Sequence, residues 1–311
     1  IPNRRRTKWW LYARMGNYLY RPGAHTYSAR DCWWRHQGGC TFCSWTNTFK
    51  NYRQVSVDWL MTDVEQCASL GIREVFDDAG TWAPPGKWFE QSTAALTQFN
   101  HGRPHYAARV AMGCNDRPGA RGPHEYKRMF HAGFRFILFG LESANHDTLQ
   151  RINKGQHAED ARNAFRWATE AGLQPHVTVM LGYPWETEAD ARKTIELTTE
   201  LFRKGWINTL QCTLLIPYPG TKLFEQATSN GWLRTEDWSL YAMNTPILSC
   251  PIPDQKLLAM IQEVYRSCLT PRYALRKALT MRTWDDVKFL ARAFKFWRCH
   301  LRDFGTYVPS H

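Results

Sequence analysis

Long apolar runs are missing from this 311-residue chain: none approaches the roughly 20 residues a membrane-crossing helix needs, which excludes a helical span within it. Low-complexity tracts and linkers rich in Gly or Ser are missing too, so no segment reads as a flexible tether. The opening residues do not read as a secretory leader, because Arg4, Arg5 and Arg6 run into "TKWWLYARMGNYLYR", which lacks a continuous apolar centre. Motifs of the common RNA-binding modules are absent as well. Acidic residues are the scarcer sign, 28 against 40 Lys and Arg, for a formal net charge of +12. The excess is uneven: nine of the basic residues lie in 272–302, alternating with Leu, Phe and Trp at helical spacing. That spacing predicts the solvated face of terminal helices, suited to an anionic or amphipathic molecule rather than to a specific nucleic-acid site.

The chain has nine cysteines, an odd number, most of them placed singly within apolar stretches. Cys67, Cys212 and Cys299 read as small buried hydrophobes rather than disulfide partners. Such usage predicts a reducing compartment, the cytoplasm.

Glycine punctuates the sequence: Gly71, Gly133, Gly172, Gly205 and Gly231 follow expected helices at 58–70, 124–132, 158–171, 187–204 and 221–229. A glycine there takes the left-handed conformation that closes a last helical turn. Between the helices lie expected strands at 26–30, 74–76, 106–112, 135–141, 176–181 and 209–216. Several are continuous apolar runs, as parallel strands buried on both faces tend to be. Six strand–helix couplets with short connections predict an α/β fold, a partial parallel (β/α)6 barrel of TIM type. After about residue 250 only helical periodicity remains, at 254–268, 272–281 and 284–301. The expected division is a connector over 1–24, the barrel over 25–250 and a C-terminal helical region over 251–311. That last region is expected to roof the barrel mouth and to present Arg292 and Arg298 to the substrate.

The segment "RDCWWRHQGGCTFCSW" follows the first expected strand and gathers Cys32, Cys40 and Cys43. Parallel barrels carry their active sites at the C-terminal ends of the strands, so this loop belongs to the functional face. Cys40 and Cys43 can curl around one centre, Cys32 can close over it, and Gly38–Gly39 lets the backbone approach and frees N–H groups toward sulfur. Three thiolates are one short of a closed zinc or iron–sulfur site. The spacing leaves three readings open: a fourth protein ligand such as His36, a cluster iron left open for substrate, or cysteines that do not act together.

From Cys40 onward the loop resembles the radical S-adenosylmethionine (SAM) superfamily, and within it the branch whose barrel often follows a cobalamin-binding domain. "CTFC" matches the second half of the family's CxxxCxxC motif, with Phe42 as the aromatic before the last cysteine. Seven residues rather than three separate Cys32 from Cys40. Further segments fall in order at strand ends. "EVFDDAG" resembles the segment that receives the SAM amino group, here Asp77 and Asp78. "FGLESAN" resembles the segment near the ribose and methionine, here Glu142 and Ser143. "VMLGYPWET" is similar to the adenine segment, with Gly182 and Glu186, and "LIPYPGT" to the final barrel motif. "LQRINKG" is also typical of the branch, and Arg109 in the third strand is a candidate for the SAM carboxylate.

The resemblance covers roughly residues 1–250. It implies that Cys32, Cys40 and Cys43 hold a [4Fe–4S] cluster whose open iron takes SAM, and that SAM is cleaved reductively to a 5′-deoxyadenosyl radical. It further implies radical methyl transfer to an unidentified small-molecule or lipid-like substrate and an electron donor of flavodoxin or ferredoxin type. Cobalamin enters as a candidate third cofactor, carried by a domain outside these residues, because the opening segment is similar to the connector after such a domain. Plainer readings stand beside these. Asp77 and Asp78 alone would be a solvated turn, Glu142 a helix cap, Arg109 half of a core ion pair, and Trp33, Trp34 and Trp45 loop packing. A zinc-stabilised nucleic-acid-binding protein and a non-catalytic iron–sulfur protein are the alternatives from other classes.

Overall fold

The computed structural model describes residues 1–14, 18–101, 103, 109–267 and 270–304. Its strands are β1 (Gly23–Thr26), β2 (Ala29–Arg30), β3 (Arg53–Gln54), β4 (Glu74–Asp77), β5 (Ala111–Asp116), β6 (Phe134–Glu142), β7 (Gln174–Leu181) and β8 (Thr209–Leu214). Its helices are α1 (Trp45–Thr48), α2 (Val57–Ser69), α3 (Lys87–His101), α4 (Pro123–His131), α5 (His146–Arg151), α6 (Ala158–Glu170), α7 (Glu188–Lys204), α8 (Lys222–Ser229), α9 (Asp254–Ser267), α10 (Pro271–Thr280) and α11 (Trp284–Asp303). No described helix is long and apolar enough to cross a membrane.

Six strands form one sheet in the order β1-β4-β5-β6-β7-β8, every neighbouring pair parallel, while β2 and β3 pair antiparallel beside it. Spatial order follows chain order and β1 and β8 remain as edges, which is the partial barrel the apolar runs predict. The outer face of the sheet presents Val75, Met112, Ile137, Phe139, Val177 and Val179 to Leu60, Val64, Leu96, Met129 and Phe165, all buried. Each such side chain, fully buried, contributes about 1.5–3 kcal/mol before entropy is counted. On the inner face the rings of His25, Phe76, Phe136 and His176 form a row at centroid spacings of 5.9, 5.9 and 5.7 Å. The row crosses β5 at Gly113, where a Cβ would lie 2.9 Å from the Phe76 ring. The β8 edge is closed by α9: the Tyr265 hydroxyl accepts from Cys212 N (3.0 Å) and donates to Cys212 O (2.9 Å), satisfying backbone groups that another chain could otherwise pair with.

Several sequence expectations need correction. The first main strand begins at Gly23, inside the expected connector, and residues 1–14 are anchored through Arg4 and Ala13 while most of their side chains stay exposed. The buried Arg4 guanidinium pairs with Asp63 of α2 and donates to His25 O (2.7 Å). The third strand starts at Ala111 and runs to Asp116; residues 106–108 of the expected 106–112 lie outside the described residues, and Arg109 precedes the strand as an exposed residue. Helix α3 was not expected at all. Cys67 and Cys212 are buried, but Cys299 faces outward from α11.

The largest correction concerns the roof. Arg73, just before β4, pairs with Asp285 (2.9 Å), and Arg292 donates to Tyr18 O (2.8 Å) just before β1. Tyr273 donates to Asn208 O (2.9 Å) just before β8. Every one of these partners sits at the N-terminal end of a strand. Helices α10 and α11 therefore floor the barrel, at the end opposite the cysteine loop, and Arg292 does not border the mouth.

Candidate functional site

The long gap between Cys32 and Cys40 is a 3₁₀ turn over Trp33–Gln37 followed by Gly38 and Gly39, both left-handed at φ 89° and 69°. Coiling takes up the extra residues, so the longer spacing does not simply lengthen the loop. Buried Asp31 holds its start: one carboxylate oxygen accepts from Cys32 N (2.7 Å), the other pairs with Arg35. Cys43 N donates to Cys40 O (3.2 Å) in a tight turn. Against Cys32 lies Gly80, where a Cβ would sit 2.8 Å from the cysteine Cβ.

Burial pushes the Cys32 thiol up to about 11; the Trp34 amide and Arg117 pull it down, and Cys40 and Cys43 push it further up. The three thiols therefore lie within electrostatic reach of one another. Among the described residues, however, no three His, Cys, Asp or Glu side chains converge as one metal ion would require. His36, the proposed fourth zinc ligand, instead sets its ring edge-on to Tyr52 at 5.9 Å. Thiolates on a [4Fe–4S] cluster bind different irons and need no common point.

The loop is gripped by the segment after α5, residues 152–155 of "LQRINKG". Thr41 N donates to Ile152 O (3.0 Å). The Asn153 amide donates to Gln37 O (2.9 Å) and Gly39 O (2.7 Å), and Asn153 O accepts from the Trp34 indole (2.8 Å). Lys154 O accepts from Arg117, and Lys154 Nζ pairs with Glu142 (2.8 Å) while standing over the Phe42 ring at 5.9 Å. This brings Cys40, Phe42 and Glu142 into one cluster with Arg117 and Lys154. Glu142 takes a left-handed conformation (φ 63°), a placement sequence pattern cannot show.

The acidic pair separates. Side chains alternate across a strand, so Asp78 shares the inner face of Phe76 and meets His25 at 3.2 Å, half exposed. Asp77 turns the other way and is fully buried on Ser28, accepting from its amide and hydroxyl at 2.6 Å each. Ser143 is likewise committed: its hydroxyl donates to Glu186 (2.8 Å) and accepts from Asn145 N (3.0 Å). Gly182 is left-handed (φ 90°) at the end of β7 beneath Leu257. Arg109 lies at the opposite end of the sheet. Buried hydroxyls of Thr41, Tyr52 and Tyr183 have no hydrogen-bond partner among the described residues. The hydroxyls, the half-exposed Asp78, the thiol trio and Arg117 suit a polar ligand beside a sulfur-bound centre, so the residues present fit a cluster and SAM.

Two buried groups carry a pH prediction. Burial pushes the Asp77 carboxyl up to about 7 against the pull of its Ser28 hydrogen bonds, and pushes His176 down to about 4. The Asp77 contribution to stability is full below its ordinary 3.8 and is lost as pH rises through about 7. The His176 contribution is full above 6.5 and is lost as pH falls through about 4. The two slopes oppose each other. Relative to the parent, Asp77→Asn should make the urea midpoint rise with pH across 4.5–6.5 and His176→Gln should make it fall, these values lying inside both windows. Parallel profiles for parent and variants would refute the assignment.

The profile of the Radical SAM superfamily matches residues 28–198, more than half of the chain. An uncharacterized methyltransferase of Pyrococcus horikoshii is 30% identical over 142 residues, 45% of this chain and 30% of the relative. The bacteriochlorophyllide d C-8(2)-methyltransferase of Chlorobaculum tepidum is 28% identical over 121 residues, 38% of this chain and 26% of the relative. Among solved structures, the radical SAM methyltransferase TsrM of Kitasatospora setae, with cobalamin and a [4Fe–4S] cluster bound, aligns at a TM-score of 0.60 and 13% identity. That alignment covers 91% of this chain and 60% of the other, and it shows likeness of fold. The chain spans under a third of the length of either curated relative.

Proposed function

The chain belongs to the radical SAM superfamily, and from that premise we propose that it is an enzyme that cleaves SAM reductively and directs the resulting radical to methyl transfer. When bound and reduced, a [4Fe–4S] cluster would supply the single electron for reductive cleavage of SAM. The residues do the rest. Cys32, Cys40 and Cys43 are the cluster thiolates. Phe42, Asp78, Glu142 and Gly182 border SAM, while Asp77 and Ser143 brace the strand ends from behind. Trp33 and Trp34 cover the loop and keep water from it.

The observation that carries this reading is the coiled, clamped three-cysteine loop at the C-terminal face of a parallel barrel. The methyltransferase relatives support methyl transfer to a small-molecule or lipid-like substrate. The likeness to a cobalamin-bound structure supports cobalamin, held outside residues 1–311, as the methyl carrier. A flavodoxin or ferredoxin would deliver the electron. The cytoplasm is the compartment these partners and the absence of disulfides among the described cysteines favour.

The test is anaerobic reconstitution with iron, sulfide, SAM and dithionite. The expected result is a brown protein that releases 5′-deoxyadenosine. A colourless, zinc-loaded protein, or a brown one that leaves SAM intact, overturns the proposal.

A further inference from the structure

Arg117 is the residue after β5, nine-tenths buried, and its guanidinium meets three things. One nitrogen lies 3.7 Å from Cys40 Sγ, another donates to Lys154 O, and the plane stacks on the Trp34 ring at 4.2 Å. The neighbouring carboxylate, Asp116, is engaged with Arg121 at 2.8 Å. Among the described residues no carboxylate forms an ion pair with Arg117. An unpaired buried charge is costly. Of the groups its nitrogens face, the Cys40 sulfur is the one that becomes anionic as a cluster ligand.

We propose that Arg117 is a positioning residue that fixes a permanent positive charge against the Cys40 thiolate and thereby sets the potential at which the cluster accepts its electron. This rests on the cluster reading above and goes beyond it. One electron enters on reduction and no proton leaves Arg117, so the reduced form carries one more negative charge beside an unchanged cation. Opposite charges attract more strongly where solvent is excluded, so the guanidinium favours reduction and raises the midpoint potential. The neighbours make the contact rigid. Trp34 is held by Asn153 O and Lys154 by Glu142, so the cation has a fixed distance rather than a solvated range.

The experiment is anaerobic potentiometric titration of the cluster signal in reconstituted parent, Arg117→Gln and Arg117→Lys. It is run before SAM is added, so that a contact to the SAM carboxylate plays no part. In Arg117→Gln the reduced-to-oxidised ratio at fixed potential should fall about tenfold or more, a midpoint lower by about 59 mV for a one-electron couple. Arg117→Lys keeps the charge and should recover most of the shift. An unchanged midpoint in a loaded Arg117→Gln protein overturns the inference, as does a Lys variant that shifts as far as Gln. Should Arg117→Gln load no cluster, Arg117→Met, which removes the charge and keeps an unbranched side chain against Trp34, takes its place and should lower the midpoint likewise; an unchanged midpoint overturns the inference. A parent that takes up no iron and sulfide sinks the cluster reading itself, a different outcome from the others.

Discussion

Cys43→Ala should abolish both cluster uptake and 5′-deoxyadenosine release, leaving the latter at the level of a protein-free control. The reason is ligand arithmetic. Three thiolates already leave one corner of a four-iron cluster without a protein ligand, and removing one leaves two anchors for a cofactor that must survive reduction. The tight turn that places Cys43 against Cys40 is a backbone bond, Cys43 N to Cys40 O, which alanine retains. Cys43 is partly exposed and outside the core, so the fold should hold, with the urea midpoint displaced by no more than about 0.5 kcal/mol equivalent. The control is Cys299→Ala, an exposed thiol on α11 at the floor of the barrel, which should keep full cluster and full turnover. A Cys43→Ala protein that loads iron and sulfide like the parent would show that the trio is not the ligand set.

Much of this was legible in the sequence because period and punctuation are local. Parallel strands buried on both faces announce themselves as apolar runs, and a glycine past each helix marks where the chain turns back. What escaped depends on contacts across the chain. Helix α3 was hidden because Ser92, Thr93 and Asn100 occupy its buried face. The hydroxyls of Ser92 and Thr93 donate to Phe89 O, so polar residues stand where an apolar stripe would mark a helix. The sequence pattern starts β5 too early because "AMGCND" carries glycine and two polar residues. Gly113 makes room for Phe76, and Asn115 donates to Ala79 O (2.8 Å). An end at residue 112 rather than 116 leaves Arg117 away from the expected strand end.

The adjacent acids could have been separated from alternation alone, once Phe76 was known to face inward. The floor helices could not. Amphipathic periodicity says that a helix has a buried face, not which end of a barrel that face covers.

Gly155→Ala should cost most of the cluster content while leaving the barrel folded, and the physical cause is a single ring. Gly155 is left-handed at φ 61°, a conformation that costs alanine about 1–2 kcal/mol. Its missing Cβ would fall inside the indole of Trp34. Trp34 cannot yield cheaply, because its indole N–H is bonded to Asn153 O and its face carries Arg117. Moving it would loosen the clamp on the cysteine loop and the cation beside Cys40 together. About 1.4 kcal/mol is a factor of ten in an equilibrium, so the backbone cost and the clash combined should reduce the clamped loop to a minor population.

Iron and sulfide per chain after reconstitution measure that population directly. Trp34→Ala opens the space, so the double variant should lose less stability than the two single losses summed, with a coupling of about 0.5–3 kcal/mol. Strict additivity in the urea midpoints would mean that Gly155 is required for its backbone alone, and that the indole is not what holds the cysteine loop in place.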